Sequence, residues 1–147
     1  MILKIDINNK AKSPVSQDLI YEVAQKTLSI PSFVFLKNKK VSLSAALVSV
    51  KEMRELNKKC RKIDATTDVL SFAEYKNIEA MKKEINREIF LGELILCYND
   101  IVSYAEKKKM KIRRELAEVI AHGVLHLMGL NHGSKMFKIQ KEIAGDF

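Results

Sequence analysis

"LAEVIAHGVLHLMGLNH", residues 116–132, decides how the rest of the chain is read. From Leu116 to Met128 its only ionisable side chains are Glu118, His122 and His126. A helix that apolar on every side has no face to give to water and lies buried in the middle of a fold. The same stretch contains every histidine of the 147-residue chain, spaced H-x3-H-x5-H. Residues four apart share a helical face, so His122 and His126 present two imidazoles to one point. His132 cannot join them on a continuing helix: six more residues carry it ~9 Å along the axis, whereas zinc–nitrogen bonds are ~2.0–2.1 Å. The chain must leave the helix and turn back. Gly129 stands where this happens, because glycine takes the left-handed conformation that ends helices without steric cost. His-x3-His-x2-Gly-x2-His is the ligand spacing of metzincin-type zinc enzymes, three imidazoles with an open fourth position. An open position implies chemistry rather than cross-linking.

One residue breaks the protease analogy. In H-E-x-x-H enzymes the glutamate after the first histidine is the general base, and here that place is taken by Gly123. Peptide hydrolysis is therefore disfavoured, while a metal-bound water or a polarised oxygen suits a phosphodiester equally well. Glu118, one turn before His122 on the same face, is a carboxylate that either lies behind the ligands or at the surface, or substitutes as the base.

Working outward, "VSLSAALVSV" from Val41 alternates Val41, Leu43, Ala45 and Leu47 on one face, the pattern of a half-buried strand. It runs into Ser49-Val50-Lys51-Glu52, a capping box that starts a short helix with Val50, Met53 and Leu56 inward. "ILKIDI" (2–7) and "TDVLSF" (67–72) read as strands. "IFLGELILCY" (89–98) is too apolar on both faces for a surface strand, and Gly92 marks a bulge or a close approach. A helix from Ser16 carries Leu19, Ile20, Val23, Ala24, Thr27 and Leu28 and stops before Pro31. Asn99 is the expected N-cap of a helix with Ile101, Val102 and Ala105. The expected fold class is α+β: a single small mixed sheet of about four strands packed by about five helices, with a zincin-like buried metal-binding helix.

At this length one domain spanning residues 1–147 is expected, burying roughly 70% of the surface its unfolded form exposes. No run approaches the ~18 apolar residues of a membrane span, and "MILKIDINNK" lacks the apolar core of a secretory signal, so a cytoplasmic location is expected. Cys60 and Cys97 form no C-x-x-C pair and read as reduced thiols, Cys97 in the core. The net charge of +8 favours polyanions. The basic residues cluster in "KNKK" (37–40), "NKKCRK" (57–62) and "KKKMKIRR" (107–114), the last of which also complements a helix C-terminus.

Three blocks then carry a resemblance. "HGVLHLMGLNH" resembles the H-G-x-L-H-L-x-G-Y-D-H signature of the YbeY family, the bacterial rRNA maturation factors and single-strand endoribonucleases. "LNKKCRKIDATTDVLSFAE" (56–74) is similar to that family's L-N-x-x-x-R-x-x-x-x-P-T-D-V-L-S-F-P, and "GELILC" (92–97) to its G-D-I-x-I strand. Thr66 and Ala73 replace prolines, Glu93 replaces an aspartate, and Leu130-Asn131 replace Tyr-Asp; the three histidines are retained. The resemblance implies one zinc ion held by His122, His126 and His132, with Arg61 and His122 as catalytic residues. A guanidinium holds a phosphate bidentately and stabilises charge developing on it. It further implies single-stranded RNA as substrate, maturation of the 3′ end of small-subunit rRNA, a part in ribosome quality control, and the ribosome and its associated proteins as partners. The alternatives are a metal-dependent peptide or amide hydrolase, and a non-catalytic ribosome-assembly factor with a structural metal.

Overall fold

In the computed structural model, which describes residues 1–147, the alternating segment from Val41 is the second strand of a four-stranded sheet. The elements in chain order are β1 (Ile2–Asn9), α1 (Gln17–Leu28), a 3₁₀ segment (Pro31–Leu36), β2 (Lys40–Leu47), α2 (Val50–Arg61) and β3 (Val69–Ala73). They continue with α3 (Ile78–Lys82), β4 (Glu88–Leu96), α4 (Tyr98–Lys107), α5 (Ile112–Leu127) and α6 (Ser134–Ala144). The sheet order is β1-β2-β4-β3, with β1, β2 and β4 parallel and β3 antiparallel on β4. No helix is long and apolar enough to cross a membrane.

The α+β architecture and the mixed four-stranded sheet agree with the sequence reading. The helices are more numerous than about five: six α-helices and one 3₁₀ segment. The two that escaped notice are α3, only five residues long, and α6, whose buried Met136, Ile143 and Ala144 are embedded among lysines. Neither presents a long apolar period, which is the signal a sequence offers.

β2 buries Val41, Leu43, Ala45 and Leu47, as its alternation requires. β4 is apolar on both faces because it lies between β2 and β3 and serves two cores. Ile89, Leu91, Leu94 and Leu96 join the main core, while Ile95 joins a smaller one with Val48, Met53, Leu70 and Cys97 under α2. Gly92 is both things expected of it. The register between β2 and β4 slips by one residue there, its φ is +133°, and a Cβ would overlap the Phe72 carbonyl oxygen on β3.

Two local expectations are corrected. Only half of the capping box forms: Ser49 Oγ accepts from the Glu52 N–H at 3.1 Å, while the Glu52 carboxylate faces Lys10 Nζ at 3.3 Å across the surface. Helix α4 begins at Tyr98 behind Cys97, one residue before Asn99, and has no side-chain cap. Its start is fixed by the buried end of β4 rather than by capping chemistry.

Helix α5 is the central element, in contact with α1, α4, α6, β3 and β4. Every residue from Glu115 to Leu127 is buried except His122 and His126, which are half-buried along one edge. Gly123 shows why the edge is so close to the sheet. A Cβ there would stand 2.8 Å from Leu94 Cδ2 and 3.3 Å from Val69 Cγ2. The glycine faces apolar side chains of β4 and β3, so a glutamate at this position would be driven into the core.

Candidate metal centre

The three imidazoles meet. His126 Nε2 lies 3.1 Å from His122 Nε2 and 3.3 Å from His132 Nε2, and one nitrogen from each ring falls within 4.8 Å of the others. Nitrogens ~2.0–2.1 Å from a tetrahedral metal stand about 3.3 Å apart, so the cluster has the dimensions of a metal's first coordination sphere. The turn that makes this possible is a Schellman motif: the Gly129 N–H bonds His126 O at 2.9 Å and the Leu130 N–H bonds Leu125 O at 3.0 Å. Gly129 holds φ +88° there, and the chain returns so that exposed His132 faces the helix it has just left.

Hydrogen bonds behind the rings set which nitrogen is free. His126 Nδ1 lies 3.1 Å from Leu130 O, which can only accept, so Nδ1 carries the proton and Nε2 keeps its lone pair. His122 is oriented by a longer relay. Glu118 Oε1 accepts from Gln140 Nε2 at 3.1 Å, which turns the amide oxygen of Gln140 onto His122 Nδ1 at 2.7 Å. That oxygen accepts the Nδ1 proton and leaves His122 Nε2 bare as well. Such carboxylate–amide–imidazole support is what raises and directs a ligating histidine. His126 is held low, to about 4, mainly by burial and then by the neighbouring imidazoles His122 and His132; the Leu130 carbonyl opposes them. It is therefore neutral at pH 7, the form in which imidazole binds a metal.

The histidines open into a cavity of about 420 Å³ that is also lined by Arg61, Cys60, Thr67, Asp68 and Phe72. Arg61 is the last residue of α2, which Lys62 ends in the left-handed conformation, φ 61°. The loop that follows is tied down twice, by Asn57 Nδ2 to Ala65 O at 2.9 Å and by Arg54 to Asp64 at 2.8 Å. Beyond it, the Asp68 carbonyl accepts from the Cys97 N–H at 2.9 Å. Residues more than sixty positions apart in sequence thus share one cavity. Cys97 is fully buried and Cys60 exposed, both as free thiols.

All four residues singled out from the sequence, Arg61, His122, His126 and His132, line this cavity. Glu118 does not line it; it reaches the site through Gln140. The sequence reading missed Gln140 and Phe137, whose ring lies 6.3 Å from that of His122 at 25°. Both are on α6, and nothing in that segment's pattern distinguishes them from its surface residues. Asp68 was legible only as part of a strand.

Comparison with known proteins agrees with the geometry. The family described as Endoribonuclease YbeY matches residues 6–147. Among proteins named endoribonuclease YbeY, that of Bacillus velezensis is 31% identical over 154 aligned positions, covering 100% of this chain and 97% of its own. The protein of Thermodesulfovibrio yellowstonii is 34% identical over 131, covering 84% and 77%, and that of Caldicellulosiruptor saccharolyticus 30% over 134, covering 88% and 85%. A solution structure of a Thermotoga maritima protein superposes with TM-score 0.60 at 26% identity, over 97% of this chain and 88% of that one.

Proposed function

The chain belongs to the YbeY endoribonuclease family, and from that premise we propose that it is a zinc-dependent endoribonuclease that cuts single-stranded RNA. Its physiological substrate in this reading is the 3′ end of small-subunit rRNA, in the cytoplasm, with the ribosome and its associated proteins as partners and ribosome quality control as the setting. The observation that carries the chemistry is the convergence of three histidine Nε2 atoms in a cavity that Arg61 also lines.

His122, His126 and His132 would hold the metal through Nε2. A zinc ion bound there supplies a Lewis acid and lowers the pKa of a ligated water. The protein's own part is positional and electrostatic. Arg61, which lines the same cavity as the histidines, would clamp two phosphate oxygens with its guanidinium and stabilise charge developing on them. Gln140 and the Leu130 carbonyl hold the two helical imidazoles in the ligating tautomer. Gly123, packed on Leu94, leaves no carboxylate where a protease keeps its base, which favours phosphodiester over peptide cleavage.

The test compares Arg61→Lys and Arg61→Ala with the parent protein on single-stranded RNA, duplex RNA and casein. A lysine keeps the charge but not the fork. Both variants are expected to keep bound zinc and to lose at least tenfold in RNA cleavage, with casein untouched throughout. Full activity in Arg61→Ala would remove Arg61 from the mechanism, and casein hydrolysis would favour the peptidase reading.

A further inference from the structure

Glu115, Glu118, His122 and His126 fall at i, i+3, i+7 and i+11 of α5, one polar seam on a helix otherwise apolar. The metal centre occupies the C-terminal end of the seam. A second pocket, of about 290 Å³, occupies the other end and shares His122 with the first. Three carboxylates line it, Asp68, Glu115 and Glu118, against two ammonium groups, Lys108 and Lys141. Glu115 is only 3% exposed, yet its Oε2 has no hydrogen-bond partner. A buried polar oxygen left unpaired is costly and points to a ligand that completes it. Burial, followed by the charge of Glu118, also raises the pKa of Glu115, with Lys108 opposing.

The charges narrow the ligand. An anion such as phosphate meets three carboxylates, and a divalent cation meets two lysines without three converging acidic oxygens. What fits is a neutral planar group that both donates and accepts hydrogen bonds, which describes a nucleobase. Phe137 supplies an aromatic face, 44% exposed, on which a base can stack. Lys108, held over the Tyr104 ring at 4.6 Å, is a donor in the same lining. Guanine matches this wall most fully: its O6 and N7 accept from lysine, while its N1–H and N2–H donate to carboxylates. Next along the surface is a mainly basic depression of about 660 Å³, lined by Lys109, Lys111 and Arg114 and sharing Lys108, Lys141 and one carboxylate, Glu118, with the Glu115 pocket. It stands where the following phosphate of the same strand would lie.

We propose that the Glu115–Lys141 pocket is a guanine-recognition subsite that seats a nucleotide beside the cleaved bond, an inference that rests on the endoribonuclease reading. The lysine-rich run 107–114 then binds the phosphate beyond that base. The test is titration of the intact, metal-loaded protein with the 5′-monophosphates of guanosine, adenosine, cytidine and uridine, followed by NMR chemical shifts. All four share a phosphate, so their differences report the base. GMP is expected to bind at least tenfold tighter than the other three. Glu115→Gln and Phe137→Ala are each expected to lower GMP affinity at least fivefold, and Lys141→Met, an exposed position, serves if Glu115→Gln does not fold. Equal affinities for the four nucleotides, or GMP binding unchanged in the folded variants, would overturn the subsite. Mapping cleavage on single-stranded RNA separates the two readings. Selective GMP binding without any RNA cleavage sinks the nuclease and leaves the subsite; cleavage with no GMP selectivity does the reverse.

Discussion

At the scale of single residues, the account turns on what stands behind His122. Gln140 connects it to Glu118 through bonds of 2.7 and 3.1 Å, and a methionine in its place would fill the space without accepting the Nδ1 proton. Gln140→Met is therefore expected to weaken metal binding about 10- to 100-fold, read by titration against a competing chelator. Affinity within twofold of the parent would show that the relay is only packing. Gly123 makes the complementary case. Gly123→Glu restores the letter sequence of a zinc protease, but the new carboxylate would be directed at Leu94 and Val69. Burying an unpaired charge there is expected to cost several kcal/mol or prevent folding, with no peptidase activity gained. A stable variant that hydrolyses casein would contradict this. The three histidines were legible because ligand chemistry restricts residue type and spacing, and Arg61 only through the family resemblance of residues 56–74. Gln140 was not, since an amide that acts through another side chain leaves no spacing rule in the sequence.

At the scale of elements, two helix ends are informative, one at the site and one away from it. The C-terminal end of α5 is closed by Gly129 at φ +88°, and a Cβ there would stand 3.1 Å from the Ile78 N. Gly129→Ala is expected to cost about 1–2 kcal/mol from the left-handed conformation alone, seen as a lower denaturation midpoint at unchanged slope. It should also loosen His132 and so weaken metal binding. The N-terminal end of α2 is held by Ser49 Oγ alone, because Glu52 turns to Lys10. Ser49→Ala should therefore cost ~1 kcal/mol, whereas Glu52→Gln should leave the denaturation midpoint within error of the parent. β2 and α5 were readable from period and polarity, since each buries a face that the pattern declares. α6 was not, although it supplies Gln140 and Phe137 and its buried Met136, Gln140, Ile143 and Ala144 fall at i, i+4, i+7 and i+8: the face is short, and Gln140 puts a polar residue in its middle. The start of α4 was misplaced by two residues, its N-cap being Cys97 rather than Asn99, because the buried end of β4 governs it, and that information is tertiary.

At the scale of the whole molecule, a central buried helix carries the candidate metal ligands, and the fold brings Arg61 at the end of α2 into the same cavity. Sequence gave no direct access to that juxtaposition, which follows from sheet order and the antiparallel placement of β3. Because the candidate ligands come from α5 and from the returning loop, a metal bound there would tie the two together and should stabilise the fold. Free metal at about 100 times its dissociation constant contributes ~2.7 kcal/mol, so stripping it is expected to lower Tm by about 5–10 °C. An unchanged Tm with proven loss of metal would place the ion outside the folded structure. The net charge of +8 should make RNA affinity fall steeply with salt, as counterion release demands. The most direct test of the central claim is to incubate the metal-replete protein and His126→Ala with single-stranded RNA while measuring bound zinc in both. The account predicts cleavage and about one zinc per chain in the parent protein, and loss of both in the variant. Equal cleavage by a zinc-free His126→Ala would contradict it.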